Sequence, residues 1–119
     1  MNDNSNLFSA CLYYQNGKKK YEGNFKNGFI IFGSHFNENG SLIYKGQFVN
    51  NLFHGQGTQY LLNSFTYIGN FVNGKKDGFG NIFDKNNKLF IKGLLLVAQN
   101  LIFLDNILYI IYNTSIMYL

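Results

Sequence analysis

Tyr21-Glu22-Gly23-Asn24-Phe25, Tyr44-Lys45-Gly46-Gln47-Phe48 and Tyr67-Ile68-Gly69-Asn70-Phe71 are three copies of Tyr-x-Gly-x-Phe, each beginning 23 residues after the last. A fixed period outweighs any local propensity, so the chain is read as an array of structural repeats. A turn signal follows each copy: Lys26-Asn27-Gly28, Val49-Asn50-Asn51 and Val72-Asn73-Gly74. Farther on, His54-Gly55-Gln56-Gly57 and Asp77-Gly78-Phe79-Gly80 again lie 23 residues apart.

Tyr, Gly and Phe at alternate positions share one face of a strand, and the polar residues between them share the other. Each copy therefore reads as a half-buried strand. Its central Gly leaves a gap in which a ring from a neighbouring unit is expected to lie. Asn-Gly and Asn-Asn tolerate positive φ and reverse the chain. The return strands are Gly55 to Tyr60 and Gly78 to Phe83, so one repeat is one β-hairpin. The expected fold is mainly β, an elongated antiparallel meander of stacked hairpins. The first unit departs from the pattern, with Phe32 and Ser34 where the period expects glycines and Gly33 between them. Either a local bulge shifts the register there, or Phe32 is an exposed ring on a binding surface.

Composition narrows the class. The chain has 119 residues, enough for one domain. Nine Tyr and thirteen Phe argue against disorder, while thirteen Gly and no Pro read as sheet and turn. All ten basic residues are Lys. Without the planar fork of Arg, sequence-specific nucleic-acid recognition is a poor fit, whereas diffuse attraction to an anionic surface stays open. Cys11 is the lone cysteine, which fits a reducing compartment and reads as a small hydrophobe. Met1 to Asn6 has no apolar stretch behind it, so no secretory signal is read there and a cytoplasmic location is expected.

Motif, internal order and period together resemble the MORN repeat, over about residues 13 to 83. The repeat-defining positions are Tyr21, Gly23, Phe25, Tyr44, Gly46, Phe48, Gly55, Gly57, Tyr67, Gly69, Phe71, Gly78 and Gly80. Leu12-Tyr13-Tyr14-Gln15-Asn16-Gly17 looks like the closing half of a preceding unit, and Ile91-Lys92-Gly93-Leu94-Leu95 like a decayed fourth opening strand. The expected division is a lead-in over 1–11, a repeat array over 12–93 and an apolar tail over 94–119. The resemblance implies a module associated with membranes or accessory to a lipid kinase.

No constellation for catalysis stands out. His35 and His54 are isolated, and neither joins a Cys or carboxylate at zinc-ligand spacing. Gly55-Gln56-Gly57 and Gly78-Phe79-Gly80 lack the third Gly and the helix opening of a phosphate loop. Neither a cofactor nor a small-molecule substrate is expected, and the chain reads as a non-enzyme. Lys18, Lys19 and Lys20 form the densest charge run; they are either a solvated loop or, with Lys26 and Lys45, a basic edge for anionic lipid headgroups.

The tail, with only Asp105 charged, supports three readings. Leu94, Val97, Leu101, Leu104, Leu108 and Ile111 make an apolar stripe on a helix capping the stack. Alternatively Leu101 to Leu104 and Ile107 to Tyr112 form a hairpin turning at Asp105-Asn106. A membrane segment is marginal, because Asp105 takes back about 3 kcal/mol of roughly 5 gained by the apolar residues. Two functions follow: a scaffold that holds a protein partner or self-associates along its aromatic-rich sheet, or a peripheral module on anionic, phosphoinositide-bearing membrane.

Overall fold

The computed structural model describes residues 6–96, 100–104, 107–112 and 115–118, with side chains as far as residue 89. Eight strands follow one another in an antiparallel meander: β1 (Leu7–Tyr13), β2 (Lys19–Lys26), β3 (Phe29–Phe36), β4 (Leu42–Val49), β5 (Leu52–Tyr60), β6 (Thr66–Val72), β7 (Lys75–Phe83) and β8 (Leu89–Leu96). The three Tyr-x-Gly-x-Phe copies are β2, β4 and β6, and each pairs with the strand after it in a hairpin. β1 pairs with β2 and spans Leu7–Tyr13, so it shares only Leu12 and Tyr13 with the stretch read as a closing half and begins within the stretch read as lead-in.

Each hairpin turns on two residues with positive φ: Asn27 and Gly28, Asn50 and Asn51, Asn73 and Gly74. Their local twist matches that of the flanking strands. At the opposite rim, the Asn37 and Asp84 carboxyl or amide oxygens each accept two backbone N–H groups and close the loops Asn37 to Ser41 and Asp84 to Lys88. A short 3-10 turn, Leu62–Ser64, links β5 to β6.

The registers place one position of every strand in a single row: Ala10, Gly23, Gly33, Gly46, Gly57, Gly69, Gly80 and Leu94 are successive cross-strand partners. This row explains the irregular first unit. Between Gly46↔Gly57 and Phe48↔Phe53, β5 carries two residues more than β4; between Gly69↔Gly80 and Asn70↔Asp77, β7 carries two more than β6. Gly55 and Gly78, at φ 71° and 68°, lie in these bulges. Between Asn24↔Phe32 and Phe25↔Ile30, β3 carries only one extra residue. Gly33 therefore reaches the row one residue early, and Phe32 needs no positive φ. The bulge reading holds, and Phe32 is exposed as well. On β4, Ile43 is one residue more than β3 has between His35↔Tyr44 and Phe36↔Leu42, which restores the 23-residue period.

The tail is β, not helical. β9 (Asn100–Leu104), β10 (Ile107–Tyr112) and β11 (Ser115–Tyr118) form a second antiparallel sheet in the order β11-β10-β9. The apolar stripe fits a helix on paper, but Ile107-Leu108-Tyr109-Ile110-Ile111-Tyr112 is rich in residues that favour strands, and that preference prevails. The turn at Asp105-Asn106 lies outside the described residues. Among the described residues, no helix is long and apolar enough to cross a membrane.

Candidate functional site

The two faces of the large sheet differ in what they leave open. On the inner face, Phe25, Ile30, Tyr44, Phe48, Tyr67, Phe71 and Ile82 are buried and form the core. Tyr44 and Tyr67 are 0% exposed because each ring folds over the glycines beside it. A Cβ on Gly57 would overlap the Tyr44 ring, and one on Gly80 would overlap the Tyr67 ring. The Tyr44 hydroxyl donates to the Gln47 carbonyl at 2.7 Å, and that of Tyr67 to the Asn70 carbonyl at 3.3 Å. The ring in the glycine gap thus comes from the same hairpin, which corrects the expectation of a ring from a neighbouring unit. A Tyr two residues before its Gly reaches that gap without crossing to another repeat.

Neighbouring units meet through Phe instead. Phe48 stands edge-on to Tyr21 of the unit before it at 6.0 Å, and Phe71 to Tyr44 at 5.1 Å. Phe53 lies flat on Tyr44, 3.9 Å away and 5° from parallel. Edge-to-face and stacked pairs of this kind add stabilisation beyond their buried area. Burial pushes the Tyr44 phenol up to about 12, partly offset by its hydrogen bonding to the His54 and Gln47 backbone. The Tyr67 phenol is raised for the same reason.

In the first unit Tyr21 leaves its glycines and stacks on His35 at 4.7 Å. Gly23 and Gly33 are then required by backbone approach, since a Cβ on either would lie 2.7 Å from the other's Cα. Burial lowers the His35 pKa, partly offset by its contact with the Lys20 carbonyl. His54 lies in the β5 bulge, where its Nδ1 accepts the Asn73 N–H at 3.4 Å and ties the second unit to the third turn.

Lys76 was not singled out by sequence, yet among the described residues it is the buried charge of the inner face, 9% exposed. It occupies the position that is Ile30 in the first unit and Phe53 in the second. Its ammonium lies 5.7 Å from the Tyr67 ring centroid, a cation–π contact in place of the Phe53–Tyr44 stack. Burial lowers its pKa to about 8. The aligned positions 30, 53 and 76 were the signal that would have found it.

The three candidate headgroup lysines do not share one patch. The Lys18 ammonium donates to the Asn39 carbonyl at 3.1 Å, Lys19 pairs with Glu22 at 2.8 Å, and Lys20 lies over the Tyr14 and Tyr21 rings. Glu22, whose pKa Lys19 lowers, also accepts the Cys11 thiol at 3.4 Å.

The outer face carries the polar residues that alternate with the core, and it leaves large apolar groups uncovered. Phe29, Val49 and Val72 flank the three Asn turns, with Phe32 beside Gly33 and Phe79 in the β7 bulge, while Leu52 lines a groove with Tyr21, His35 and Phe53. Phe79 is the most open of these rings, at 67%. Grooves are shallow and open; the largest described, about 530 Å³, runs between Asn37 to Ile43 and Gln59 to Asn63. At its side the Gln59 Oε1 is buried without a hydrogen-bond partner.

The family model of the MORN repeat matches residues 21–30, 44–61 and 67–83. The first match stops just before the short bulge of β3. None of the curated proteins matches the chain.

Proposed function

The chain is a MORN-repeat protein, and we propose that it is a non-catalytic, cytoplasmic scaffold whose outer face holds a protein partner. The contrast between the faces carries this reading. The inner-face rings of Phe25, Tyr44, Phe48, Tyr67 and Phe71 are closed against one another, whereas Phe29, Phe32, Val49, Val72 and Phe79 on the outer face remain open to a partner. Aromatic anchors set among polar residues are the usual energetic centres of protein interfaces. The test is affinity capture on the immobilised chain, compared with a Phe29→Ser, Phe32→Ser, Phe79→Ser variant and a Lys18→Gln, Lys19→Gln, Lys20→Gln variant. Partners retained by the lysine variant and lost by the triple-Ser variant support the reading; equal retention by all three proteins overturns it.

A second reading, a peripheral module on anionic lipid, draws on Lys26 and Lys75, which flank the same turns as Phe29 and Val72. Apolar groups framed by ammonium groups suit a membrane interface, and phosphoinositides or a lipid kinase fit there. Salt-sensitive sedimentation with phosphoinositide-bearing but not neutral vesicles would favour it, and absence of binding to both removes it.

A further inference from the structure

We propose that β1 is a self-complementary edge through which two copies of this chain pair, antiparallel, about a two-fold axis at Ala10. β1 stands first in the sheet and pairs on one side with β2. Its other side presents the backbone N–H and C=O groups of an edge strand. Proteins guard such edges with charges, proline or bulges. The strand Leu7-Phe8-Ser9-Ala10-Cys11-Leu12-Tyr13 carries no charge and no proline.

Its inner-face side chains look unfinished. Phe8 is 50% and Leu12 47% exposed, although Phe25, across from Phe8 in the register, is 3% exposed, and Ile82, the counterpart of Leu12, is 0%. Phe8 stacks on Phe25 at 5.8 Å on one side, and the other side of the ring is open. A further strand would cover both.

The strand itself selects the occupant. In the complete units, the row position facing the hairpin partner is Gly, because the Tyr of that partner lies on it. β1 has Ala10 there. The added methyl stands where the Tyr44 and Tyr67 rings lie in the second and third units, so a Tyr-x-Gly-x-Phe strand with its ring in that place does not fit. What fits is a strand with a small residue opposite Ala10 and large apolar residues opposite Phe8 and Leu12. β1 reversed meets that requirement: Ala10 faces Ala10, Phe8 faces Leu12 of the second copy, and Ser9 faces Cys11 of the second copy. No like charges oppose each other on the strand, and the interface is isologous, the usual form of a dimer. This edge is separate from the outer face proposed to hold a protein partner, and either stands if the other fails.

Sedimentation of the full chain across a dilution series tests the pairing. The expected mass rises toward twice the 13.7 kDa of one chain at the concentrated end. Phe8→Lys with Leu12→Lys places two like-charged pairs across the axis and is expected to leave a monomer at every concentration. Phe8→Lys with Leu12→Glu places opposite charges across the same axis and restores the dimer, which separates a lost interface from a lost fold. A monomeric wild type, a Lys/Lys variant that stays associated, or a Lys/Glu variant that stays monomeric overturns the proposal.

Discussion

The ring of Tyr67 lies on Gly80, so close that a Cβ added to the glycine would sit 2.5 Å from the ring's Cζ. Gly80 is therefore a socket for a side chain rather than a turn, and the fold depends on its emptiness. Gly80→Ala is expected to cost about 2–3 kcal/mol of stability through overpacking. In a Tyr67→Leu background the added cost should shrink below 1 kcal/mol, roughly, because the colliding ring is gone. Urea unfolding of the four proteins in the cycle measures the coupling.

Lys76 takes the position of Phe53 but with its charge buried on Tyr67. Lys76→Phe is expected to raise stability at pH 7, on the order of 2–3 kcal/mol at most, by removing the desolvation cost of the ammonium. The folded pKa near 8 lies below the ordinary 10.5, so the unfolded chain binds more protons between these values. Stability should rise with pH from about 8. Above about 10 the trend reverses, since the Tyr44 and Tyr67 phenols are held protonated in the fold while those of the unfolded chain ionise. Thermal unfolding from pH 7 to 10 should show the rise in wild type and none in the Phe variant.

His35 shows the opposite limb of the pH profile. Its folded pKa is lowered by burial, so its contribution is full above the ordinary 6.5 and is lost as pH falls through the lowered value. Stability should decline below about pH 6.5, and His35→Gln should flatten that part of the curve. An unchanged slope in the variant would assign the decline to other groups.

Gln59 occupies the row position held by Ile82 in the third unit, and its buried Oε1 has no hydrogen-bond partner. Gln59→Ile is expected to gain about 1–2 kcal/mol, by removing an unsatisfied polar atom and adding apolar packing. A loss of stability in urea would contradict this account of the side chain.

Much of the fold could be read from spacing alone, because period-2 alternation and Asn-centred turns translate directly into strands and hairpins. Gly33 escaped that reading because β3 has one bulge residue fewer, and a 23-residue ruler cannot register a shift that Ile43 later cancels. The packing of Tyr44 and Tyr67 on their own glycines was hidden for another reason: sequence gives a residue's face but not the direction in which its ring folds. That fold of the rings also decides which face is open. Lysines 18, 19 and 20 read as one run, yet the loop, the pair with Glu22 and the Tyr14 ring disperse them. The tail's spacing fits two periods at once, and only strand preference separates them.

The proposed binding on the outer face rests on the closure of the inner face around Tyr44 and Tyr67, and tyrosine reactivity measures that closure residue by residue. Native-state nitration followed by peptide mapping should modify Tyr13, which is 59% exposed, and spare Tyr44 and Tyr67, which are 0% exposed, until the chain is unfolded. Modification of Tyr44 and Tyr67 in the folded chain as fast as Tyr13 would mean that the inner face opens to solvent, and would contradict the assignment.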